Sequence, residues 1–500
     1  MNIRTVLRYC GISLLGVSLL MLVSAAVALH EASEAALVPL LYAGTVTFIV
    51  GVFPLIFVPK QSRIGRREGF FIVTFSWIAA CLAGALPYLM YGGEFTPVNA
   101  FFESVSGFTT TGASILTDIE ALPNGLLFWR IASAWIGGIG IVGLVSMVIP
   151  TRDDMQSVLA SAETSDLARG YYGGRKKRFV QMMLLIYIGI TAVSALALRI
   201  AGLRWFDAVT HAMSACSTCG FSTRNLSIAA FDNPAVEVIL MAAMLFGGTN
   251  FTLLAATFIP GRGGRNIFRS EISRCFLFAV LLGSVVTAAD LFRSGLYSIG
   301  GALRASFFQI CSISTTTGFA TADTNTWPAM SILVLCICSL VCGCTGSTSG
   351  GIKIDRILLA AKGLRERIRS LGRPAHIDTV RMDGRLLRSG EADAANTYIL
   401  IYLGLVMAGG ILNIAGGMDI MSGITASIAC MGNVGPGFGS VGSMESYAML
   451  PDFLKVSDMV FMLLGRLEIY PMLWVIGVLL GRTRSNGLKI EAKKQYDQIR

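Results

Sequence analysis

Apolar residues run along this chain in blocks of about 20, the length an α-helix needs to cross a bilayer, with short polar or basic stretches between them. The first two blocks, 12–29 and 36–58, predict a helix pair. Arg4 and Arg8 precede the first block as they would in a signal sequence. No small-residue cleavage site leads into a polar mature domain, so the pair is expected to be retained. Beyond residue 70 the pattern changes period. Four times, an apolar block is followed by a shorter apolar helix, a few hydroxyl residues, a glycine and a second apolar block.

The four interruptions read FFESVSGFTTTGA at 101–113, HAMSACSTCGF at 211–221, FQICSISTTTGF at 308–319 and TASIACMGNVGP at 425–436. Their glycines, Gly112, Gly220, Gly318 and Gly435, recur at similar intervals, the signature of an internal repeat. The units are 70–150, with its loop at 109–113; 179–260, loop 217–221; 275–370, loop 315–319; and 396–481, loop 433–437. They follow the 1–59 helix pair and precede a basic tail, 482–500. The expected fold is an all-α polytopic membrane protein with ten full spans: the pair plus four helix–pore-loop–helix repeats in pseudo-fourfold arrangement around one pore.

Composition sharpens this picture. Hydrophobic residues make up 54% of the chain and charged residues 14%, against about 25% charged in ordinary soluble domains. Mean hydropathy is +0.67. A nucleic-acid-binding globule is excluded despite a formal charge of +10, and so is a secreted disulfide scaffold, because the eleven cysteines sit mostly inside apolar blocks. Most of the 40 basic residues cluster at 60–67, 152–178, 262–274, 353–388 and 482–500. The positive-inside rule turns these clusters, and both termini, toward the cytoplasm. The 353–388 stretch is either a cytosolic docking surface or a topology signal alone.

Thr-Thr-Thr-Gly continues a helix poorly, because β-branched residues lose rotamer freedom and glycine costs about 1 kcal/mol relative to alanine. Non-helical backbone at membrane depth survives only where protein buries it or water reaches it. Four such stretches around one axis could line a narrow passage with carbonyls and hydroxyls that replace an ion's water. Each short helix precedes its loop, so its carbonyl end faces the passage and favours a cation. Asp118, Glu120, Asp323 and Glu445, just beyond the loops, would concentrate cations at the outer mouth. On the residues alone the cargo is a monovalent cation.

Five segments, SGFTTTGAS (106–114), SACSTCGFST (214–223), TTTGF (315–319), NVGPG (433–437) and CGCTGSTSGGIK (342–353), together resemble the Trk/Ktr/HKT superfamily of potassium transporters, in particular its bacterial TrkH/TrkG-type branch. The likeness covers nearly the whole chain. It implies a selectivity filter holding potassium at backbone carbonyls of Thr110, Thr111 and Gly112; Thr218, Cys219 and Gly220; Thr315, Thr316, Thr317 and Gly318; and Asn433, Val434 and Gly435. Glycine at all four filter positions implies potassium rather than sodium. Cys219 departs from the glycine expected there. The resemblance further implies a homodimer in the bacterial inner membrane and a separate cytosolic TrkA-like subunit binding NAD(H) or ATP/ADP, with no nucleotide on this chain.

Two features sit off the repeat. The second span of the third unit is apolar only from 327 to 341, about 22 Å of helix against a ~30 Å hydrocarbon layer. The glycine- and serine-rich stretch 342–352 then falls at membrane depth. It is expected to be a gating loop below the filter, built on Gly343, Thr345, Gly346, Ser347, Gly350, Gly351 and Lys353, or else a passive kink. Arg466 falls near the middle of the last span, where a charge is expensive. It faces the pore or the gating loop, as a matching arginine in the family does, or pairs with another helix; Glu468, two positions on, cannot share its face. Arg130, beside Trp129, reads as an interfacial anchor.

The glycine motifs at 138–143 and 437–442 follow no strand of a βαβ unit and carry no dinucleotide. The Cys216–Cys219 spacing and the cysteines at 336–344 lie in apolar surroundings, where cysteine packs as a small hydrophobe. No nucleophile–base pair suggests an enzyme. The rival transport reading is an H⁺- or Na⁺-coupled carrier, which predicts carboxylates within the spans and inverted repeats; a non-conducting sensor or scaffold is the other.

Overall fold

The computed structural model describes residues 3–59, 66–140, 176–258, 266–371, 380–387 and 390–481. The tail at 482–500 lies outside them, as do most of the basic clusters at 60–67 and 152–178 and parts of those at 262–274 and 353–388. Helices dominate. The N-terminal pair is α1 (Ile3–His30) and α2 (Glu34–Phe57). The first unit holds α3 (Arg66–Tyr91), α4 (Pro97–Phe108) and α5 (Asn124–Ile139). The second holds α6 (Lys176–Ile200), α7 (Trp205–Ser217), α8 (Pro234–Gly248) and α9 (Phe251–Phe258). The third holds α10 (Glu271–Arg293), α11 (Ile299–Ser314), α12 (Ala329–Leu340) and α13 (Ile354–Leu371). The fourth holds α14 (Glu391–Ala415), α15 (Ile420–Gly432), α16 (Asp452–Arg466) and α17 (Tyr470–Leu479).

Apolar side chains cover the outside of the long helices as well as filling the core, and some polar groups are buried. Phe53, Ile200, Phe278 and Leu400 are exposed on the long helices, while Thr110, Thr316, Gln309 and Asn433 are buried. That distribution suits a hydrocarbon surround, where backbone and side-chain polar groups must find partners inside the protein.

The short helices α4, α7, α11 and α15 begin sharply. Thr96, Ser298 and Asp419 accept hydrogen bonds from the first-turn amides of α4, α11 and α15, the usual satisfaction of an exposed helix start. Each short helix packs on the long helix before it and on the helix after it. Each also packs across a unit boundary: α7 on α5, α11 on α8, α15 on α12, and α4 on α16. The last contact joins the fourth unit to the first, so the cross-unit packing closes on itself.

Among the described residues, six helices are long and apolar enough to span a membrane, namely α1, α2, α3, α6, α10 and α14. Within the described residues, the helix in the second apolar block of each unit ends or bends partway along the block. α5 ends at Gly140, whose φ is 90°. α8 turns by 109° into α9 at Thr249–Asn250. α12 stops at Leu340, and α16 stops before Glu468 and Ile469, both at φ 58°. Windows of about 20 residues average over two or three polar positions, so hydropathy alone passes across these breaks.

Close helix approach fixes where the short helices end. A Cβ built on Gly137 of α5 would run into the carbonyl of Phe108, the last residue of α4. Gly137→Val is therefore expected to destabilise the protein by about 1–3 kcal/mol, the usual cost of overpacking. Gly189→Ala, at a site with no neighbour within 4 Å, is the control. Thermal unfolding in detergent checks both, with a lowered midpoint for the first alone.

Candidate functional site: four glycine loops and the segment beneath them

The four loops share one backbone solution. Two residues before each glycine, Thr110, Thr218, Thr316 and Asn433 adopt left-handed φ values of 55°, 55°, 59° and 52°. The next residue turns its amide back to the short helix five positions earlier: Thr111 to Ser106 O at 2.9 Å, Cys219 to Ser214 O at 3.1 Å, Thr317 to Ser312 O at 2.8 Å and Val434 to Ala429 O at 2.9 Å. This is a helix C-cap whose left-handed position is normally filled by glycine. Asparagine tolerates it; a β-branched threonine there is strained.

The glycines follow at φ 82°, 82°, 82° and 95°, a region that favours a residue without Cβ. Space makes the same demand. A Cβ on Gly112 would strike the carbonyl oxygen of Cys219; on Gly220, that of Thr317; on Gly318, that of Val434; and on Gly435, that of Thr111. Each loop thus rests its glycine on the carbonyl of the next, and the fourth rests on the first. Side chains reinforce the loops and, through Asn433, the seam between the fourth and the first. Asn433 donates to the Thr111 hydroxyl at 3.0 Å and to Met462 O at 2.9 Å, and Tyr447 donates its phenol to Gly435 O at 3.0 Å. Thr315 and Thr317 share a hydroxyl contact at 2.8 Å, as Thr109 and Thr111 do at 2.7 Å. Cys219 turns its side chain outward into a cluster with Ile131, Met213 and Phe221, so its departure from glycine fills space behind the loop.

The segment 342–353 lies against the helix-side ends of these loops. Its ends pair as a two-residue parallel ladder, β1 (Val341–Cys342) with β2 (Ile352–Lys353). Thr348 donates to Gly247 O at 3.0 Å and Cys216 O at 3.1 Å. Ser349 donates to Thr315 O at 2.8 Å, and the Gly350 amide to the Thr316 hydroxyl at 3.0 Å. A Cβ on Gly350 would meet Gly432 O. Lys353 donates its ammonium to Ser349 O. On the far side, Asn250 binds Thr345 O at 2.6 Å and the Phe251 amide binds Gly346 O at 3.1 Å. Gly343 packs on Gly248 O, Ser347 donates to Cys344 O at 2.6 Å, and Gly351 sits at φ 65° over Cys342. Despite its composition, this segment is densely bonded.

Arg466 joins that segment to the first unit. Its guanidinium donates to Thr348 O at 2.7 Å and to Gly137 O and Gly138 O at 2.5 and 3.2 Å. It lies at the end of α16, where the last span breaks. Glu468 instead pairs with the buried Arg356, whose guanidinium stacks 3.7 Å over the Tyr398 ring. Sequence reasoning did not single out Arg356, Thr348 or Ser349.

Arg130 is corrected outright. It is 1% exposed and pairs with Glu103, itself fully buried, at 2.5 Å. It is no interfacial anchor. The test applied to Arg466, a charge inside an apolar block, applies equally here and would have found it. At the opposite end, Asp118 accepts from the Asn225 side chain at 2.8 Å, which holds its carboxyl below the usual carboxylate range. Glu120 pairs with Arg224 at 3.6 Å.

A family model described as TrkH, cation transport protein, matches residues 41–486. The chain is 33% identical over 486 residues to the Trk system potassium uptake protein TrkH of Halomonas elongata, covering 94% of this chain and 97% of that one. It is 31% identical to the Trk system potassium uptake protein TrkG of Escherichia coli, covering 94% and 97%. The crystal structure of the potassium transporter TrkH from Vibrio parahaemolyticus superposes with a TM-score of 0.85 at 31% identity, covering 95% of this chain and 98% of that one. With its long apolar helices, the protein is an integral membrane protein.

Replacing Arg466 by Gln removes a charge-assisted donor from three carbonyls on two units. Such bonds are worth about 1.5–3 kcal/mol each. Hydrogen exchange of the 343–351 amides is expected to quicken at least about tenfold, with little change in α1 or α2. Equal protection in the variant overturns the arginine's role as the tie.

Proposed function

The chain belongs to the TrkH family of cation transport proteins, and from that premise we propose that it is the pore-forming, channel-like subunit of a Trk-type potassium uptake system. The observation that carries the reading is the cyclic order in which Gly112, Gly220, Gly318 and Gly435 each rest on the next loop's carbonyl. Such an order surrounds an axis in pseudo-fourfold fashion. Four short helices then direct their carbonyl ends to that axis, and main-chain oxygens around Thr111, Cys219, Thr317 and Val434 replace the hydration shell of K⁺. No side chain need titrate for an ion to pass.

The segment 342–352 serves as the gate. It lies across the helix-side ends of three loops, and its hydroxyl and amide groups occupy the Thr218, Thr315 and Thr316 positions that face it. Arg466 places positive charge at the same level, where it opposes a resting cation. Opening requires these bonds to break together, which suits control by a partner rather than by thermal fraying. The partner in this reading is a cytosolic TrkA-like subunit that binds NAD(H) or ATP/ADP, acting on a homodimer of this chain in the bacterial inner membrane with both termini inside.

The test is growth at limiting potassium in a strain that lacks potassium uptake, with and without a TrkA-like partner, followed by flux in proteoliposomes. The parent chain is expected to restore growth, and Gly220→Val to cut flux at least about tenfold by driving a side chain into the Thr317 carbonyl. Deleting residues 346–350 should raise flux without the partner. Stoichiometric proton movement with K⁺ would favour the coupled carrier, and absence of flux in the parent overturns the assignment.

A further inference from the structure

Behind each glycine loop, one position of the short helix faces the strand of chain leaving the loop. Nine residues before the four glycines stand Glu103, His211, Gln309 and Ala426. His211 Nε2 lies 2.9 Å from the Ser222 hydroxyl, and Gln309 donates to Ala322 O at 3.0 Å. Ala426 has no polar group to offer. Only the first unit carries a charge at this position. Glu103 accepts from the Ser114 hydroxyl at 3.0 Å and from the Ile115 amide at 3.1 Å, so it holds the chain two and three residues beyond Gly112.

Arg130 completes the arrangement and extends it across a seam. Its Nε donates to Glu103 at 2.5 Å, and its Nη1 donates to Ser222 O at 3.2 Å. The guanidinium carbon stands 3.6 Å from the centre of the Phe221 ring. Phe221 and Ser222 are the first two residues beyond Gly220. One buried ion pair therefore grips the exits of the first and second loops together, while Gly112 and the Cys219 carbonyl touch on the other side of the same seam. Eighteen residues after the other three glycines stand Val238, Cys336 and Phe453, none of them charged; the seam between the second and third units carries a different pair, Arg304 with Glu237 at 2.8 Å.

We propose that the Glu103–Arg130 pair is a positioning element for cation discrimination, clamping the seam between the first two loops so that their carbonyls cannot spread. The inference rests on the pore reading above. A cage of carbonyls distinguishes cations by its dimensions and by the number and orientation of its dipoles, and one loosened seam changes all of these on one side. The pair touches no ion itself.

The experiment measures K⁺/Na⁺ permeability ratio and total K⁺ flux in proteoliposomes for the parent, Glu103→Gln, Arg130→Gln and Ser114→Ala, with thermal midpoints recorded for each. Ser114→Ala removes one grip of Glu103 without creating an unpaired charge. The charge variants are expected to lower the ratio about tenfold and Ser114→Ala about threefold, the last with a parental midpoint. Should the charge variants fail to accumulate, Ser114→Ala decides alone. A parental ratio in Ser114→Ala and in whichever charge variant folds overturns the clamp. A parent that carries no K⁺ overturns the pore reading instead, so the two failures are distinguishable.

Discussion

The glycine of each loop is seated so closely against the main-chain carbonyl of the next that no side chain fits between them, and the rest of the structure depends on that contact. No loop is complete alone. The contact requires a residue without a side chain at 112, 220, 318 and 435, and at each of them the backbone takes a φ that glycine accepts readily. The rest of the architecture keeps four such tips in contact. The short helices are capped at their starts, closed at their ends by backward amide bonds, and packed across unit boundaries in the same cyclic order as the loops.

Breaking every second span is the other half of the design. A straight helix continuing from α8 or α12 would leave no room for the 342–353 segment, which instead borrows the carbonyls exposed at the breaks. Gly247 O and Gly248 O, freed where α8 stops, accept from Thr348 and from the Cys344 amide. Gly137 O and Gly138 O, near the end of α5, accept from Arg466. The interruptions thus supply acceptors as well as space. Arg466 costs less here than in an intact helix, since three carbonyls satisfy it.

The four short helices, the glycine after each and the end of α12 were legible in the residues, because each is a local change from apolar to small or hydroxyl-bearing side chains. The left-handed position two before each glycine was less so. Three threonines occupy it, and nothing in β-branched chemistry points to that backbone region; only Asn433 hinted at it. The breaks after Gly248 and Arg466 span too few polar residues to register against long apolar flanks. Arg130 was misread, and its partner Glu103 passed over, for another reason. They lie 27 positions apart, and a buried pair shows itself only when the fold brings α4 against α5.

Joining all four units in one chain has a consequence for how such a protein can diverge. An assembly of four identical chains must accept any change at every quadrant simultaneously. Here Asn433 and Val434 stand where the first and third units have threonines, Ala426 stands where the first unit has Glu103, and the ring still closes. Each quadrant can drift by itself, provided its glycine stays, so the geometry can be tuned one sector at a time.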